Sequence, residues 1–114
     1  MRYLFRSPIF PVVLKVGPGA VCSATAKDLE SYLKRNAAKL PDECALIDYR
    51  WEGWVLYPKD SIVSPMTLKK RYTKREFLLF CGISEEQLVI TNVNKYSRED
   101  IFDYVFQVAH ANAS

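Results

Sequence analysis

The sequence predicts an α+β fold for residues 1–114, with an antiparallel-leaning β-sheet and about three helices packed mainly on one face. Short segments rich in β-branched and aromatic residues are joined by tight turns, and amphipathic helical segments interrupt them. A length of 114 residues is enough for one hydrophobic core, so a single compact domain is expected. No apolar stretch approaches the roughly 18 residues that a membrane-spanning helix needs.

The N-terminal third is predicted to contain two strands and a helix. The strands are Tyr3–Arg6 and Phe10–Val16, and Gly17-Pro18-Gly19 is interpreted as the turn that leads from the second strand into the helix. A capping-box-like start at Thr25 opens the helix, and its apolar residues follow at helical spacing until Pro41 ends it.

The segment CALIDYRWEGWVLYP predicts a β-hairpin with its turn at Glu52-Gly53. With that turn, Trp51 lies opposite Trp54 and Tyr49 lies opposite Leu56, so one face carries three aromatic rings. The rings share this face with aliphatic residues, which favours packing in the core. The alternative is a stacking platform for an apolar ligand or a nucleobase, and it makes Tyr49, Trp51 and Trp54 the candidate ligand-binding residues.

The second half is predicted to alternate strands and helices. The elements are a short strand at Ser61–Ser64, a helix that ends at Gly82, a strand at Leu88–Val93 and a helix that begins at Ser97. The first of these helices has two candidate starts, one at Ser64-Pro65 and one at the capping box Thr73-x-x-Glu76. The sequence leaves open whether the segment between them is helix or loop.

Residues 77–88, FLLFCGISEEQL, resemble the centre of a helix-turn-helix, with Gly82 in the turn and Ser84 as the cap of the second helix. Leu78, however, is bulky where a small residue usually lets the two helices approach. Val89-Ile90 would also place apolar side chains on a helix meant to contact DNA. A short helix that leads into a strand is therefore the favoured interpretation.

The net charge of +3 is concentrated in one basic segment, residues 66–75. This segment has no acidic residue and five basic ones, namely Lys69, Lys70, Arg71, Lys74 and Arg75. The rest of the chain has a small acidic excess. Such a segment is usually a solvated surface, but it can also contact a phosphate backbone. A nucleic-acid-binding domain is therefore the alternative function.

Residues suited to catalysis or metal binding do not cluster. His110 is the only histidine, and Cys22, Cys44 and Cys81 have no C-x-x-C spacing. A nucleophilic serine or cysteine would need a base close by, so an enzyme is disfavoured, and neither a cofactor nor a metal is expected. An odd number of unpatterned cysteines suits a reducing compartment, and prolines and a lysine interrupt the apolar N-terminal stretch, which favours the cytoplasm over secretion.

The sequence therefore predicts a small non-catalytic binding or interaction module whose partner is a protein or a small apolar ligand. A homodimer is expected, because the apolar faces of the hairpin and helices are many for a domain of this size. A dimer would also protect an open strand edge. No membrane partner is expected.

Overall fold

The computed structural model describes residues 1–68, 71–90 and 92–112, without the side chains of residues 89–90 and 109–112. The strands are β1 (Arg2–Tyr3), β2 (Val12–Val16), β3 (Gly19–Ser23), β4 (Cys44–Ile47), β5 (Gly53–Tyr57) and β6 (Ile62–Pro65). The helices are α1 (Ala26–Asn36), α2 (Lys74–Phe80), α3 (Glu85–Ile90) and α4 (Arg98–Asn112), with 3-10 turns at Ala37–Lys39 and Val93–Lys95.

The strands form one mixed sheet in the order β1-β6-β5-β4-β2-β3. β1 pairs in parallel with β6, and every other neighbouring pair is antiparallel. The predicted α+β class with an antiparallel-leaning sheet is confirmed. The N-terminal strands are shorter than expected, and the short strand predicted near residue 61 is β6. Within the described residues, no helix combines the length and the apolar character needed to cross a membrane.

Helices cover both faces of the sheet. On one face, α1 packs Leu29 against Val12 and Leu14 of β2. On the other face, α2, α3 and α4 pack against Val13 of β2 and Ile47 of β4. Successive residues of β2 therefore enter different cores, as the alternation of side chains along a strand requires. Three of the four α-helices lie on one face, in agreement with the prediction.

The hairpin β4–β5 has a different register from the predicted one. Leu46 lies opposite Trp54, and Cys44 lies opposite Leu56, so the loop comprises residues 48–52. The prediction that Trp51 faces Trp54 across a two-residue turn is wrong. The pairing is shifted by an odd number of residues, and an odd shift exchanges the two faces of a strand.

A buried carboxylate holds this wide loop in place. The side chain of Asp48 is 0% exposed. Its Oδ1 accepts hydrogen bonds from the backbone N–H groups of Arg50 and Glu52 at 2.9 and 3.0 Å. Its Oδ2 accepts from the backbone N–H of Ile9 at 3.2 Å and from the indole Nε1–H of Trp54 at 3.1 Å. The first two bonds lie within the loop, and the other two join it to the N-terminal segment and to β5.

The segment after β2 forms a strand, β3, and not the predicted turn into a helix. Gly17 has a φ of 57°, the positive φ that the first central position of a type II′ turn requires. Pro18 fits the second central position, where φ is negative. The chain therefore reverses over two residues, and Gly19–Ser23 pairs along β2.

The predicted strand at Leu88–Val93 is also wrong, because Glu85–Ile90 is α3. Ser84 and Gln87 form a capping box at its start. The hydroxyl of Ser84 accepts from the backbone N–H of Gln87, and Gln87 Oε1 accepts from the backbone N–H of Ser84, both at 3.3 Å. These bonds satisfy N–H groups that the first turn of a helix leaves free.

The other helix starts agree with the sequence. Thr25 accepts a hydrogen bond from the backbone N–H of Asp28 at the start of α1. Thr73 and Glu76 form the complete capping box of α2, which begins at Lys74. Of the two candidate starts of this helix, the structure therefore has the one at Thr73. The described part of the basic segment before it is a loop.

Candidate functional site

The three candidate ligand-binding rings lie on opposite sides of the sheet. Trp54 is 0% exposed in the core beneath α1, so its ring offers no face to a ligand. Tyr49 and Trp51 are half-buried on the side of α2 and α4. Their ring centroids lie 5.0 and 5.2 Å from that of Phe102. The favoured interpretation, packing in the core, fits Trp54, and a ligand-binding role of Tyr49 and Trp51 stays a prediction.

The described residues of the basic segment do not form one continuous helix. Lys69 and Lys70 lie outside the described residues. Arg71 precedes α2 and forms a β-bridge with Glu52, whose Oε1 lies 3.9 Å from Arg71 Nη2. Because α2 begins at Lys74, Arg71 lies outside the helix, and the spacing of four residues does not place Arg71 and Arg75 on a common helix face.

The two basic side chains in α2 interact within the chain. Lys74 Nζ donates a hydrogen bond to the backbone carbonyl of Tyr96 at 2.6 Å. Arg75 Nη2 lies 3.2 Å from Glu85 Oε1. These side chains would have to exchange their present partners for phosphates. Nucleic-acid binding through the basic segment stays a prediction.

The connection between α2 and α3 has the helix–turn–helix outline that the sequence suggested. Gly82 has a φ of 91°, and a Cβ placed on it would lie 2.9 Å from the carbonyl oxygen of Pro18, so only glycine fits without strain. Ile83 is buried directly after it. The first turn of α3 carries Glu85 and Glu86, both exposed, which opposes contact with a phosphate backbone.

A groove of about 570 Å³ opens between this pair of helices and α4. Its floor consists of four buried aliphatic side chains, those of Leu78, Ile83, Leu88 and Ile101. Tyr96 and Tyr104 also line the groove and are 47% and 44% exposed. The groove is therefore an apolar concavity with two accessible aromatic rings.

The polar lining of the groove is acidic. Asp100 and Asp103 line it one turn apart on α4, and none of the lining residues that the structure describes is basic. Asp100 Oδ2 accepts from the backbone N–H of Ser97 at 3.3 Å as part of the cap of α4. Among the described residues, Asp103 takes part in no ion pair. Its carboxylate is therefore available to a cation.

The thiols are not activated as nucleophiles. Burial raises the pKa of Cys22 to about 12. Burial also raises the pKa of Cys44 and of Cys81. At neutral pH these thiols are protonated. In the described part of the chain, no group of three or more His, Cys, Asp or Glu side chains could hold a metal ion. The side chain of His110 lies outside the described residues.

The groove was not predicted from the sequence, because the helix that forms one of its walls was predicted to be a strand at Leu88–Val93. The signal was present, since Ser84-x-x-Gln87 has the same form as the capping box recognised at Thr73. The chain matches no known protein family, and no characterised protein or solved structure is significantly similar to it.

Proposed function

We propose that this protein is a non-catalytic binding module that holds a small apolar ligand in the groove between α3 and α4. The observation that carries this proposal is the groove itself, about 570 Å³ in volume with an aliphatic floor. Ligand sites in proteins are typically concavities of roughly 300–1,000 Å³ with mostly apolar walls and a few polar groups. An apolar body would contact Leu78, Ile83 and Ile101.

The ligand carries a cationic group in this proposal. Asp100 and Asp103 give the lining two carboxylates, and among the described lining residues none supplies a compensating positive charge. An ammonium group beside Asp103 would gain a charge-assisted hydrogen bond. The rings of Tyr96 and Tyr104 can add a cation–π contact, which is favourable within about 6 Å of a ring centroid. An anionic ligand of the same shape would be repelled.

Two probes with the same ring and opposite charges test this function. 2-(1-Naphthyl)ethylamine and 1-naphthylacetate are titrated into the protein near neutral pH, and amide chemical shifts are followed by NMR. The amine is expected to shift the amide signals of residues that line the groove and to bind at least several-fold more tightly than the acetate. Equal binding, or shifts confined to other parts of the chain, would contradict the proposal.

A pair of variants separates the groove from general surface charge. Asp103→Asn removes a lining carboxylate, whereas Glu99→Gln removes an exposed carboxylate on the same helix that does not line the groove. We expect the first variant to weaken amine binding several-fold and the second to leave it unchanged. If both variants weaken binding alike, the amine responds only to net charge.

Self-association and a cytoplasmic location complete the proposal. The open edge of β3, at the end of the sheet, supports a homodimer. All three cysteines are free, which suits a reducing compartment. A protein partner that places an apolar side chain and a lysine in the groove would use the same chemistry, and such a partner would compete with the amine probe.

Nucleic-acid binding through the basic segment is the alternative proposal. Binding of a duplex oligonucleotide that weakens steeply with salt, and that is reduced in Lys69→Glu/Lys70→Glu, would support it. The absence of binding at low salt would exclude it.

A further inference from the structure

β3 is an edge of the sheet whose outer side pairs with no other described strand. It is the terminal strand, and within the described residues no backbone hydrogen bond joins it to an element other than β2. Its five residues, Gly19–Ser23, include neither a charged side chain nor a proline. Proteins usually protect an exposed edge with lysine, proline, a bulge or a very short strand. The opposite edge, β1, has only two residues.

The neighbouring lysine does not guard this edge. Lys15 lies opposite Ala20 in the β2–β3 pair. Its Nζ donates to the backbone carbonyl of Phe80 at 2.8 Å and lies 5.8 Å from the centroid of the Phe80 ring. The ammonium group is therefore directed to the end of α2 and leaves β3 accessible.

The hairpin geometry identifies which backbone groups point away from β2. The two-residue turn makes Val16 and Gly19 a hydrogen-bonded pair. Hydrogen-bonded and non-hydrogen-bonded pairs alternate along an antiparallel ladder, so Val21 and Ser23 also bond to β2. The N–H and C=O groups of Ala20 and Cys22 consequently point outward.

We propose that this edge pairs with β3 of a second copy of the chain, antiparallel, around a two-fold axis at Val21. The outward groups of Ala20 and Cys22 are equidistant from that axis along the chain. Ala20 therefore exchanges two hydrogen bonds with the partner's Cys22, and Cys22 exchanges two with the partner's Ala20. The sheet becomes continuous across the dimer.

The composition of β3 favours a second copy as the occupant. A two-fold axis places each residue close to its own equivalent or to a near neighbour, so a charge in the strand would meet a like charge. The strand has none. The interface is also distinct from the proposed ligand site, because no β3 residue lines the groove. A failure of the dimer proposal would therefore leave the ligand proposal untouched, and the reverse also holds.

Two measurements on the unmodified protein test the interface. Sedimentation gives the mass, expected at twice the 13.1 kDa of one chain at tens of micromolar. Amide hydrogen exchange followed by NMR is expected to show slow exchange at Ala20 and Cys22 that becomes fast on dilution, while Val21 stays protected. A monomer at this concentration would overturn the proposal. A dimer whose Ala20 and Cys22 amides exchange rapidly would overturn it as well, because the contact would then lie elsewhere.

A pair of variants at one position adds an independent control. Ala20→Pro removes an outward N–H but leaves the hydrogen bonds of β3 to β2 intact, as prolines in edge strands do. Ala20→Ser keeps the N–H group. We expect the proline variant to be monomeric with an unchanged circular dichroism spectrum and the serine variant to dimerise. A folded proline variant that still dimerises would contradict this interface, and if that variant does not fold, exchange in the unmodified protein decides.

Discussion

Asp48→Asn is expected to be among the most destabilising conservative substitutions in this protein. Each oxygen of the Asp48 carboxylate accepts two hydrogen bonds. An asparagine amide has one oxygen and one NH₂ group, so in either orientation two of the four donors face another donor. Rotating the amide by 180° changes which two donors lose their acceptor, but two donors remain without an acceptor in both orientations.

The magnitude follows from the number of donors left without an acceptor. A buried polar group without a partner costs about 1–3 kcal/mol, so two such groups predict a loss of about 2–6 kcal/mol in the free energy of unfolding. Domains of this size are stable by about 5–15 kcal/mol, and the loss is therefore a large part of the total. With a urea dependence of about 2 kcal/mol per molar, the midpoint falls by about 1–3 M.

The assay is urea unfolding followed by tryptophan fluorescence, with Asp42→Asn as the matched control. Asp42 is exposed, and its carboxylate accepts a hydrogen bond from Lys59 Nζ at 2.9 Å. That hydrogen bond lowers the pKa of Asp42, but solvent screens such a surface pair, so its loss hardly moves the midpoint. If Asp48→Asn and Asp42→Asn have the same midpoint, the four hydrogen bonds do not hold the loop as described.

Three further outcomes are expected. Trp54→Ala lowers the free energy of unfolding by about 3–5 kcal/mol, and Trp51→Ala lowers it by less because the Trp51 ring is half-exposed. Urea unfolding of the two variants measures this difference. Gly82→Ala costs more than about 1 kcal/mol in the same assay, since φ is 91° there and Pro18 blocks the Cβ. The free energy of unfolding decreases from pH 9 towards 12, because a pKa of about 12 keeps Cys22 protonated in the folded state while the unfolded thiol ionises near 9.0. Thermal melts over this pH range should show a smaller loss of stability in Cys22→Ala than in the unmodified protein. An equal loss in the two proteins would contradict the assignment to Cys22.

Helix starts could be predicted from the sequence because their signals are local. At Thr25 and Thr73 a side chain caps the helix by accepting a hydrogen bond from a backbone N–H three residues later. Such a pair is visible in any four-residue window. Helix α3 has the same signal at Ser84. The sequence prediction nevertheless placed a strand at Leu88–Val93, because the β-branched residues there favour a strand. Burial of Leu88 in the core beneath α4 settles the competition in favour of helix.

The register of the hairpin could not be predicted in this way. Glu52-Gly53 is a good local turn, but the turn is decided by a carboxylate whose donors come from as far away as Ile9. A buried acid with four partners has no local sequence signal, because it looks like any other polar loop residue. Its effect on the candidate site is large, since it places Trp51 and Trp54 in separate cores.

The groove depends on the same kind of long-range contact. Lys15 binds the backbone carbonyl of Phe80, and the turn at Pro18 lies against Gly82, so the end of α2 is anchored to the β2–β3 hairpin. α4 packs on the same hairpin, where Cys22 Sγ lies 3.9 Å from the carbonyl oxygen of Val105. One hairpin therefore supports the helices on both sides of the groove. The sequence prediction placed no strand at Gly19–Ser23, so it lacked the support that fixes the spacing of these helices. The groove between them could therefore not be predicted.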